Sequence, residues 1–220
     1  MEIVYEDNHL MVVNKAPGEI VQGDKTGDTP MSELLKDFIK ERDHKPGNVF
    51  LGVVHRLDRP VAGLVIFAKT SKALARLNDM FRNGEVKKTY RALTRNNPPQ
   101  EEGRIVSYIS YTERNNKSHS SPTPKPGAKE AALTYRLIGH TKSYNMLEIN
   151  LETGRKHQIR VQLASIGCPI RGDLKYGDRR SNPDGSISLQ AHKIEFEHPV
   201  SHKKISLTAP WPQGWPSVEE

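Results

Sequence analysis

Short runs of apolar residues, many of them β-branched, recur along the chain and predict a protein built mostly from strands. Residues 3–5 and 10–14 form the first two runs, and a turn is predicted after them at Ala16-Pro17-Gly18. Residues 49–54 and 64–68 are nearly continuous in apolar side chains, which predicts two buried strands. Six further strands are predicted at residues 88–94, 105–110, 133–138, 146–151, 188–196 and 204–208.

Helical periodicity occurs in three places. Thr29-Pro30 supplies an N-cap and a proline at the first helical position for a helix over residues 30–41. Ser71 is the predicted cap of a second helix, which ends at Asn83-Gly84, and a third helix is predicted over residues 156–166. Strands with scattered helices and no regular βαβ alternation predict an α+β domain, with a mixed, mostly antiparallel sheet and flanking helices.

The segment over residues 114–129 has no periodicity of either kind and is rich in Ser, Pro, Asn and Lys. Such a composition predicts an exposed, mobile loop that extends over about residues 113–130. Two interpretations are open. The segment is either a tolerated insertion or a loop whose four bases close over a phosphate backbone.

The composition excludes several classes of protein. The chain has 220 residues, of which 35% are hydrophobic and 27% are charged, as in folded domains. No apolar run approaches the length of about 18 residues that a membrane-spanning helix needs, and the start of the chain lacks the pattern of a signal peptide. We therefore expect a single soluble domain over residues 1–220, with a cytoplasmic location.

Metal and disulfide chemistry have little support in the sequence. The only cysteine, Cys168, cannot form a disulfide or a four-thiolate metal site within one chain. The nine histidines are scattered, without the spacing of a metal-binding pair on a helix.

The net charge of +7 is concentrated in two stretches. Residues 69–95 contain eight bases against two acids, and residues 155–180 contain seven bases against two acids. Residues 1–50 are acidic by contrast, with ten acids against six bases. Two basic stretches suit a polyanion such as nucleic acid, although two solvated basic helix faces would give the same counts.

The first candidate for chemistry is the polar cluster that follows a predicted buried strand. Asp58 lies there between Arg56 and Arg59, and two cationic neighbours should hold its carboxylate ionised. A carboxylate in this setting is a nucleophile, a base, or a salt-bridged residue in a turn. Spacing alone favours the last of these interpretations.

Two further clusters contain bases. Residues 153–160 form a basic turn in which Gly154 is predicted to begin a helix, with positions 156 and 160 on one helical face. This is either an ordinary first turn or an anchor for phosphate or for a carboxylate such as Asp58. Tyr90 lies among bases in a predicted strand, where it either stacks on a nucleobase or is simply buried.

Four motifs resemble those of the RluA family of RNA pseudouridine synthases. Residues 55–70, HRLDRPVAGLVIFAKT, resemble the family's catalytic motif. Residues 14–18 are similar to its N-terminal NKPxG segment, residues 87–93 to its KxYxAL strand, and residues 153–177 to its third motif. The motifs keep the family's order, so the resemblance covers essentially the whole chain.

The resemblance implies an RNA uridine isomerase that has the pseudouridine synthase fold with a central basic cleft and works without cofactor or metal. Such an enzyme breaks the N1 glycosidic bond of a uridine, turns the uracil and rejoins it through C5. Whether the catalytic aspartate attacks C1′ or removes a 2′ proton stays open. The implied roles are Asp58 as catalytic aspartate, Arg56 as the arginine that enters the RNA stack, Tyr90 as the tyrosine against the uracil, Arg160 as the partner of the aspartate, and Ile159 as the apolar cover of the base.

Several further features of the sequence bear on how the protein would hold RNA. Residues 60–63, Pro-Val-Ala-Gly, depart from the family's usual x-T-S-G, which bears on specificity more than on activity. The chain begins with the catalytic domain, so we expect its own basic surface, rather than an S4-type module, to hold the RNA. We expect the two basic stretches to flank one cleft with Asp58 at its floor. The other residues assigned to RNA binding are His55, Arg59, Lys87, Lys88, Arg155 and Lys156.

The predicted partner is ribosomal or transfer RNA, with no membrane and no obligate protein partner, and the predicted state is a monomer. Two other functions are compatible with part of the sequence. One is an RNA-binding or chaperone module whose catalytic residues are idle. The other is a base-releasing glycosidase, which would want a second acidic residue and would release free uracil.

Overall fold

The computed structural model of the protein describes residues 2–217 and has an α+β fold, which confirms the prediction. Its helices are α1 (Met31–Arg42), α2 (Ser71–Arg82) and α3 (Gln158–Ser165). Its strands are β1 (Glu2–Glu6), β2 (Leu10–Lys15), β3 (Gly52–Val53), β4 (Ala62–Ala68), β5 (Lys87–Thr94), β6 (Glu102–Thr112), β7 (Lys117–Ser121), β8 (Lys129–His140), β9 (Asn145–Leu151), β10 (Leu189–Glu197) and β11 (Lys204–Thr208).

The chain forms two compact units. The first consists of Met1–Lys87 and Ala191–Pro210, and the second consists of Lys88–Gln190 and Trp211–Glu220. Each unit has its own cluster of buried apolar side chains.

In the first unit, β1, β2, β4 and β10 are successive neighbours, with β11 paired to β10 and β3 paired to β4. β2 and β4 are antiparallel, with Leu10 opposite Ala68 and Lys15 opposite Gly63. Both strands are buried along nearly their whole length, which explains why their sequences are continuous apolar runs. Helix α2 contributes Leu77 to the same buried cluster.

In the second unit, the strand order is β5-β9-β8-β6-β7, and all these pairs are antiparallel. Tyr90 of β5 is in register with Ile149 of β9, which is in register with Tyr135 of β8, so the three side chains share one face of the sheet. Ala131 lies four residues before Tyr135 on that face and packs with Val161 of α3. Tyr90 and α3 therefore lie on the same face.

The predicted strands are present, and most are longer than their apolar runs. The strand predicted at residues 105–110 is β6, Glu102–Thr112, because its polar ends pair with β7 and β8. The strand predicted at residues 49–54 is only Gly52–Val53, since only these two residues pair with β4. The strand predicted at residues 204–208 has the predicted bounds.

The predicted helix starts need correction. Pro30, not Thr29, is the N-cap of α1, because its backbone is extended, with φ -74 and ψ 154, and the helix begins at Met31. Thr70, not Ser71, caps α2, and its Oγ1 accepts the N–H of Ala73 at 3.1 Å. Within residues 2–217, no helix is both long and apolar enough to cross a membrane.

The predicted start of the third helix is also wrong. Helix α3 begins at Gln158, because the preceding residue His157 is in the left-handed region with φ 54. Gly154 therefore does not begin the helix, and Lys156 precedes it. Lys156 and Arg160 consequently do not share a helical face.

The predicted loop over residues 113–130 contains strand β7, so that prediction is wrong for Lys117–Ser121. This segment pairs with β6 after a turn in which Asn116 has φ 48. The buried residue Ser118 donates its N–H to the Tyr176 hydroxyl at 2.8 Å and its Oγ–H to Lys156 O at 2.6 Å. These tertiary bonds override the weak strand propensity of a Ser- and Lys-rich sequence.

Candidate active site

Asp58 lies in the connection between β3 and β4, as the sequence predicts. The following residues form a turn in which the N–H of Val61 donates to the carbonyl of Asp58 at 3.0 Å. Leu57 is buried, Asp58 is half-buried and Arg56 is exposed. One buried anchor thus supports a carboxylate and a solvent-exposed guanidinium on neighbouring residues.

Lys15 fastens this connection to the end of β2. Its side chain has no solvent exposure, and its Nζ donates to the carbonyls of Ala16 at 3.0 Å, Arg59 at 3.1 Å and Val61 at 2.6 Å. Burial lowers the pKa of Lys15 to about 8, while the carboxylates of Glu19 and Asp58 act in the opposite direction. Lys15 therefore holds both the shape of the Asp58 turn and a positive charge near its carboxylate.

His55 anchors the start of the same segment. Its Nε2 accepts the N–H of Ile66 at 3.0 Å, and its ring stacks on Phe81 with centroids 4.8 Å apart. A ring nitrogen that accepts a hydrogen bond carries no proton, so His55 is in the neutral Nδ1–H form in this arrangement. These contacts anchor the backbone from which the side chain of the neighbouring Arg56 extends.

Arg59 is engaged by a different carboxylate from the one that the sequence suggests. Its guanidinium forms an ion pair with Asp28, and its carbonyl accepts the N–H of Gly18 at 2.8 Å. The positive charge of Arg59, which the sequence places next to Asp58, is therefore also paired with Asp28.

Gly63 is required by a close approach of two strands rather than by the turn. It lies in β4 with φ 118, a backbone conformation that residues other than glycine rarely adopt. A Cβ at this position would lie 2.3 Å from the carbonyl oxygen of Ala191 in β10. Any larger residue would push the strand that follows Asp58 away from β10.

In the second unit, Tyr90 and Lys88 lie two residues apart on β5 and so share a face of the sheet. Tyr90 is buried, with 8% of its surface exposed. Burial lowers the pKa of Lys88. A Cβ at Gly154 would lie 3.5 Å from Lys88 Nζ, which places this amine beside the turn that precedes α3.

Arg160 of α3 is buried and held by a carboxylate that the sequence did not indicate. Its Nε donates to Asp173 Oδ2 at 2.7 Å and its Nη2 donates to Asp173 Oδ1 at 2.9 Å. Both side chains are almost fully buried. A bidentate pair of this kind fixes the plane of the guanidinium, so Arg160 is rigid in the folded second unit.

Tyr176 supports the same guanidinium from its ring face. The carbon Cζ of Arg160 lies 5.0 Å from the Tyr176 ring centroid, and the hydroxyl lies 2.7 Å from His157 Nδ1. Burial raises the pKa of Tyr176, while hydrogen bonding from Ser118 lowers it by less. Tyr176 thus joins β7, the start of α3 and Arg160.

The remaining predicted residues of the second unit lie around the start of α3. Ile159 is buried, with 5% of its surface exposed. Lys156 is exposed and lies over the Tyr111 ring, with its Nζ 3.8 Å from the centroid. Arg155 is exposed and its Nε donates to Glu130 O at 3.0 Å.

The structure therefore places the predicted site residues in two sets. Lys87 is the last residue of the first unit before β5 continues in the second. The first unit also holds His55, Arg56, Asp58 and Arg59, and the second holds Lys88, Tyr90, Arg155, Lys156, Ile159 and Arg160.

No group of three or more His, Cys, Asp or Glu within residues 2–217 is arranged to hold a metal ion.

Sequence reasoning gave no role to three residues that shape these sets. Lys15 stands inside a quoted motif, but nothing in its spacing indicates burial against three carbonyls. Asp173 and Tyr176 follow Arg160 by 13 and 16 positions, within the third motif. A carboxylate inside a strongly basic stretch is a usable signal, because it implies a partner among the surrounding arginines.

Comparisons with known proteins agree on one family. The sequence matches the family model described as RNA pseudouridylate synthase over residues 9–165. A protein of Zymomonas mobilis named ribosomal large subunit pseudouridine synthase D is 32% identical, over 97% of this chain and 70% of that protein. A protein of Yersinia pestis named tRNA pseudouridine synthase C is 31% identical, over 98% of this chain and 88% of that protein.

A solved structure gives the same fold. The structure of human RNA pseudouridylate synthase domain containing 4 matches with a TM-score of 0.79 and 24% identity, and the match covers 96% of this chain and 89% of that chain.

Proposed function

The chain belongs to the RNA pseudouridylate synthase family, in agreement with its RluA-type motifs, and we propose that it converts one or a few uridines of a structured RNA to pseudouridine. The product is an isomer of the substrate. The N1–C1′ bond breaks and a C5–C1′ bond forms. The uracil loses its C5 proton and gains a proton at N1.

The observation that carries this proposal is the fold of the catalytic motif. Residues 55–61 are fixed at one end by His55, in the middle by the buried Leu57, and at the other end by Lys15. A half-buried carboxylate on so constrained a turn is suited to act at a defined sugar atom. In this proposal Asp58 either attacks C1′ or removes the 2′ proton.

We propose that Tyr90 and Ile159 hold the uracil. Arg160 is proposed to hold the carboxylate of Asp58. A freed uracil must turn without escaping, and an aromatic face with an apolar neighbour provides a platform for it. Tyr90 lies against the uracil and takes the C5 proton. Arg160 orients the carboxylate of Asp58 and favours its ionised form.

The Arg160–Asp173 pair supports the proposed role of Arg160. A guanidinium has five N–H groups, and the bonds to Asp173 use Nε and Nη2. The pair therefore fixes the orientation of the guanidinium before any RNA binds. This preorganisation removes an entropic cost from the catalytic complex.

Arg56 is proposed to enter the RNA stack when the target uridine flips out. Flipping leaves a gap between two bases, and a planar guanidinium can stack in that gap. The exposure of Arg56 beside the half-buried Asp58 supports this role. The two relatives named above carry names that refer to ribosomal large subunit and transfer RNA, so we propose one of these as the substrate.

The test is release of tritium from RNA that carries tritiated uracil at C5. We expect the purified protein to release tritium and form pseudouridine in transfer or ribosomal RNA. The Asp58→Asn variant should lose about 10⁴-fold or more in rate, as enzymes do when a group that takes part directly in the chemistry is removed, while RNA binding is retained. Asp79→Asn is the matched control, because Asp79 is an exposed carboxylate paired with Arg82.

Three outcomes would contradict the proposal. Isomerisation by Asp58→Asn at a rate near that of the unchanged protein would remove the role of Asp58. Free uracil as product would indicate a glycosidase. RNA binding without turnover on any uridine-containing RNA would indicate a binding module.

A further inference from the structure

Two arginines contact one tyrosine in the second unit. The Cζ of Arg171 lies 4.8 Å from the ring centroid of Tyr144, and the Cζ of Arg95 lies 5.2 Å from it. Arg95 Nη2 also donates to the Tyr144 hydroxyl at 3.3 Å. We call these three residues the Tyr144 cluster. It joins the last base of the stretch over residues 69–95 to a base of the stretch over residues 155–180.

The Tyr144 cluster lacks the carboxylate partner that three arginines of the second unit have, namely Arg104, Arg136 and Arg160. Arg104 forms two hydrogen bonds with Glu152, and Arg136 pairs with Glu148. Among the described residues, neither Arg95 nor Arg171 forms an ion pair. Two like charges on one ring repel each other, so a bound anion would relieve the repulsion.

The charge of Arg171 affects the pKa of one carboxylate, Asp184, with which it does not form an ion pair. Hydrogen bonds from Ser186 are the main cause that lowers the pKa of Asp184, and the charge of Arg171 contributes less. Asp184 Oδ1 accepts the N–H and hydroxyl of Ser186 at 3.0 and 2.6 Å. Asp184 is therefore occupied by its own turn.

The backbone holds the Tyr144 cluster in place. Arg171 N–H donates to the carbonyl of Leu93 in β5 at 2.8 Å, and the Arg171 carbonyl accepts the N–H of Ser188 at 2.8 Å. Tyr144 N–H donates to Thr141 Oγ1 at 2.9 Å within the turn between β8 and β9. Hydrogen bonds thus hold the backbones of Arg171 and Tyr144, and Arg95 directly follows β5. Two neighbouring guanidinium groups suit an anion with successive phosphates.

We propose that the Tyr144 cluster is a binding site for the phosphodiester backbone of the substrate RNA. The Tyr144 cluster shares no residue with the proposed catalytic set that contains Tyr90 and Arg160. It contacts phosphates of nucleotides other than the target uridine and contributes to affinity rather than to chemistry. Guanidinium groups that lie on an aromatic ring can direct their N–H edges at phosphate oxygens. This inference rests on the proposed function.

The test compares RNA affinity of variants at several salt concentrations, with unfractionated transfer RNA as the probe. Arg95→Gln and Arg171→Gln should each weaken binding by about tenfold, the usual effect of losing a hydrogen bond between charged groups. Each should also reduce the slope of log affinity against log salt by about 0.7, the value for one phosphate contact on a single strand. Tritium release should show a raised KM and an unchanged kcat.

Two controls separate this site from a general loss of charge or of fold. Arg104→Gln removes the same charge from an exposed arginine that is already paired with Glu152, and it should leave both affinity and salt slope unchanged. Tyr144→Phe keeps the ring and should bind RNA as the unchanged protein does, whereas Tyr144→Leu should weaken binding. Thermal unfolding of each variant checks that the fold is retained.

If the unchanged protein releases tritium but the folded Arg95→Gln and Arg171→Gln variants bind RNA with unchanged affinity and salt slope, the Tyr144 cluster is not an RNA site. Equal weakening by Arg104→Gln would also overturn it, because the effect would then come from net charge. If the unchanged protein neither releases tritium nor binds RNA, the proposed function and the inference both fail.

Discussion

Lys15 shows how one residue can control a reactive carboxylate without being part of the chemistry. A buried ammonium with three carbonyl acceptors is stable only while the turn after Asp58 keeps its shape. The acceptors come from residues on both sides of Pro60, so the bonds fix the backbone where it enters β4. The position of Asp58 is therefore coupled to a side chain 43 residues earlier in the sequence.

The variant Lys15→Met tests this coupling. Met has a similar length but cannot donate, so three carbonyl groups lose their donor, and we expect the free energy of unfolding to fall by about 2–3 kcal/mol. Because the turn loosens, kcat for tritium release should fall more than KM changes. Lys36→Met, on a half-exposed lysine of α1, should change stability by less than about 0.5 kcal/mol. Unchanged kcat and stability in Lys15→Met would contradict the role assigned here.

At the residue scale, the sequence motifs assigned roles to Asp58 and Arg160 but gave none to the groups that hold them in the folded chain. The motif assigned Arg160 to a carboxylate partner, and the structure adds a buried bidentate pair with Asp173. Such a pair depends on how the chain returns after α3, through the left-handed residues Gly167 and Gly172. No local pattern of one sequence specifies that return, so the basic stretch indicates an arginine partner for Asp173 but does not identify Arg160 as that partner.

At the scale of elements, apolar runs predicted strands well where burial decides the structure. β2 and β4 are buried along nearly their whole length and were predicted within two residues at each end. β7 was missed because its stability comes from pairing with β6 and from bonds of Ser118 to distant groups. The start of α3 was misplaced because His157 adopts a left-handed conformation that favours glycine.

Glu6 joins three elements of the first unit and gives their stability a defined pH dependence. Its carboxylate accepts from Arg42 Nη1 at 2.7 Å, from Arg42 Nη2 at 2.8 Å and from Lys69 Nζ at 2.6 Å. The Arg42 hydrogen bonds, followed by those of Lys69, lower the pKa of Glu6 to about 2 despite partial burial. The contacts connect β1 to the end of α1 and to the residue after β4.

The variant Glu6→Gln should lower the free energy of unfolding by about 2 kcal/mol at neutral pH. The unfolded chain binds a proton at this carboxyl near pH 4.5, and the folded chain does so only near pH 2. The stabilisation is therefore complete above pH 4.5, decreases as the pH falls from there, and is absent below about pH 2. Denaturant unfolding of both proteins across this range measures the difference.

The control for this prediction is Glu102→Gln, on an exposed glutamate of β6, with an expected change below about 0.5 kcal/mol at every pH. A Glu6→Gln difference that stays constant from neutral pH down to pH 2 would show that packing, rather than charge, stabilises this contact.

At the scale of the whole molecule, the concentration of charge in two stretches was the most informative feature of the composition. Arg95 and Arg171, one from each stretch, meet at Tyr144 in the second unit. The central basic cleft with Asp58 at its floor stays a prediction. The family and the α+β fold were both predictable, because four ordered motifs carry more information than any local propensity.

The most direct test of the central claim is a map of pseudouridines in total RNA from cells with and without the gene. We expect one or a few pseudouridine sites in ribosomal or transfer RNA to disappear on deletion. Those sites should return when the unchanged gene is supplied, but not when the Asp58→Asn gene is supplied at equal protein level. A map that deletion leaves unchanged, or sites restored by Asp58→Asn, would contradict the account.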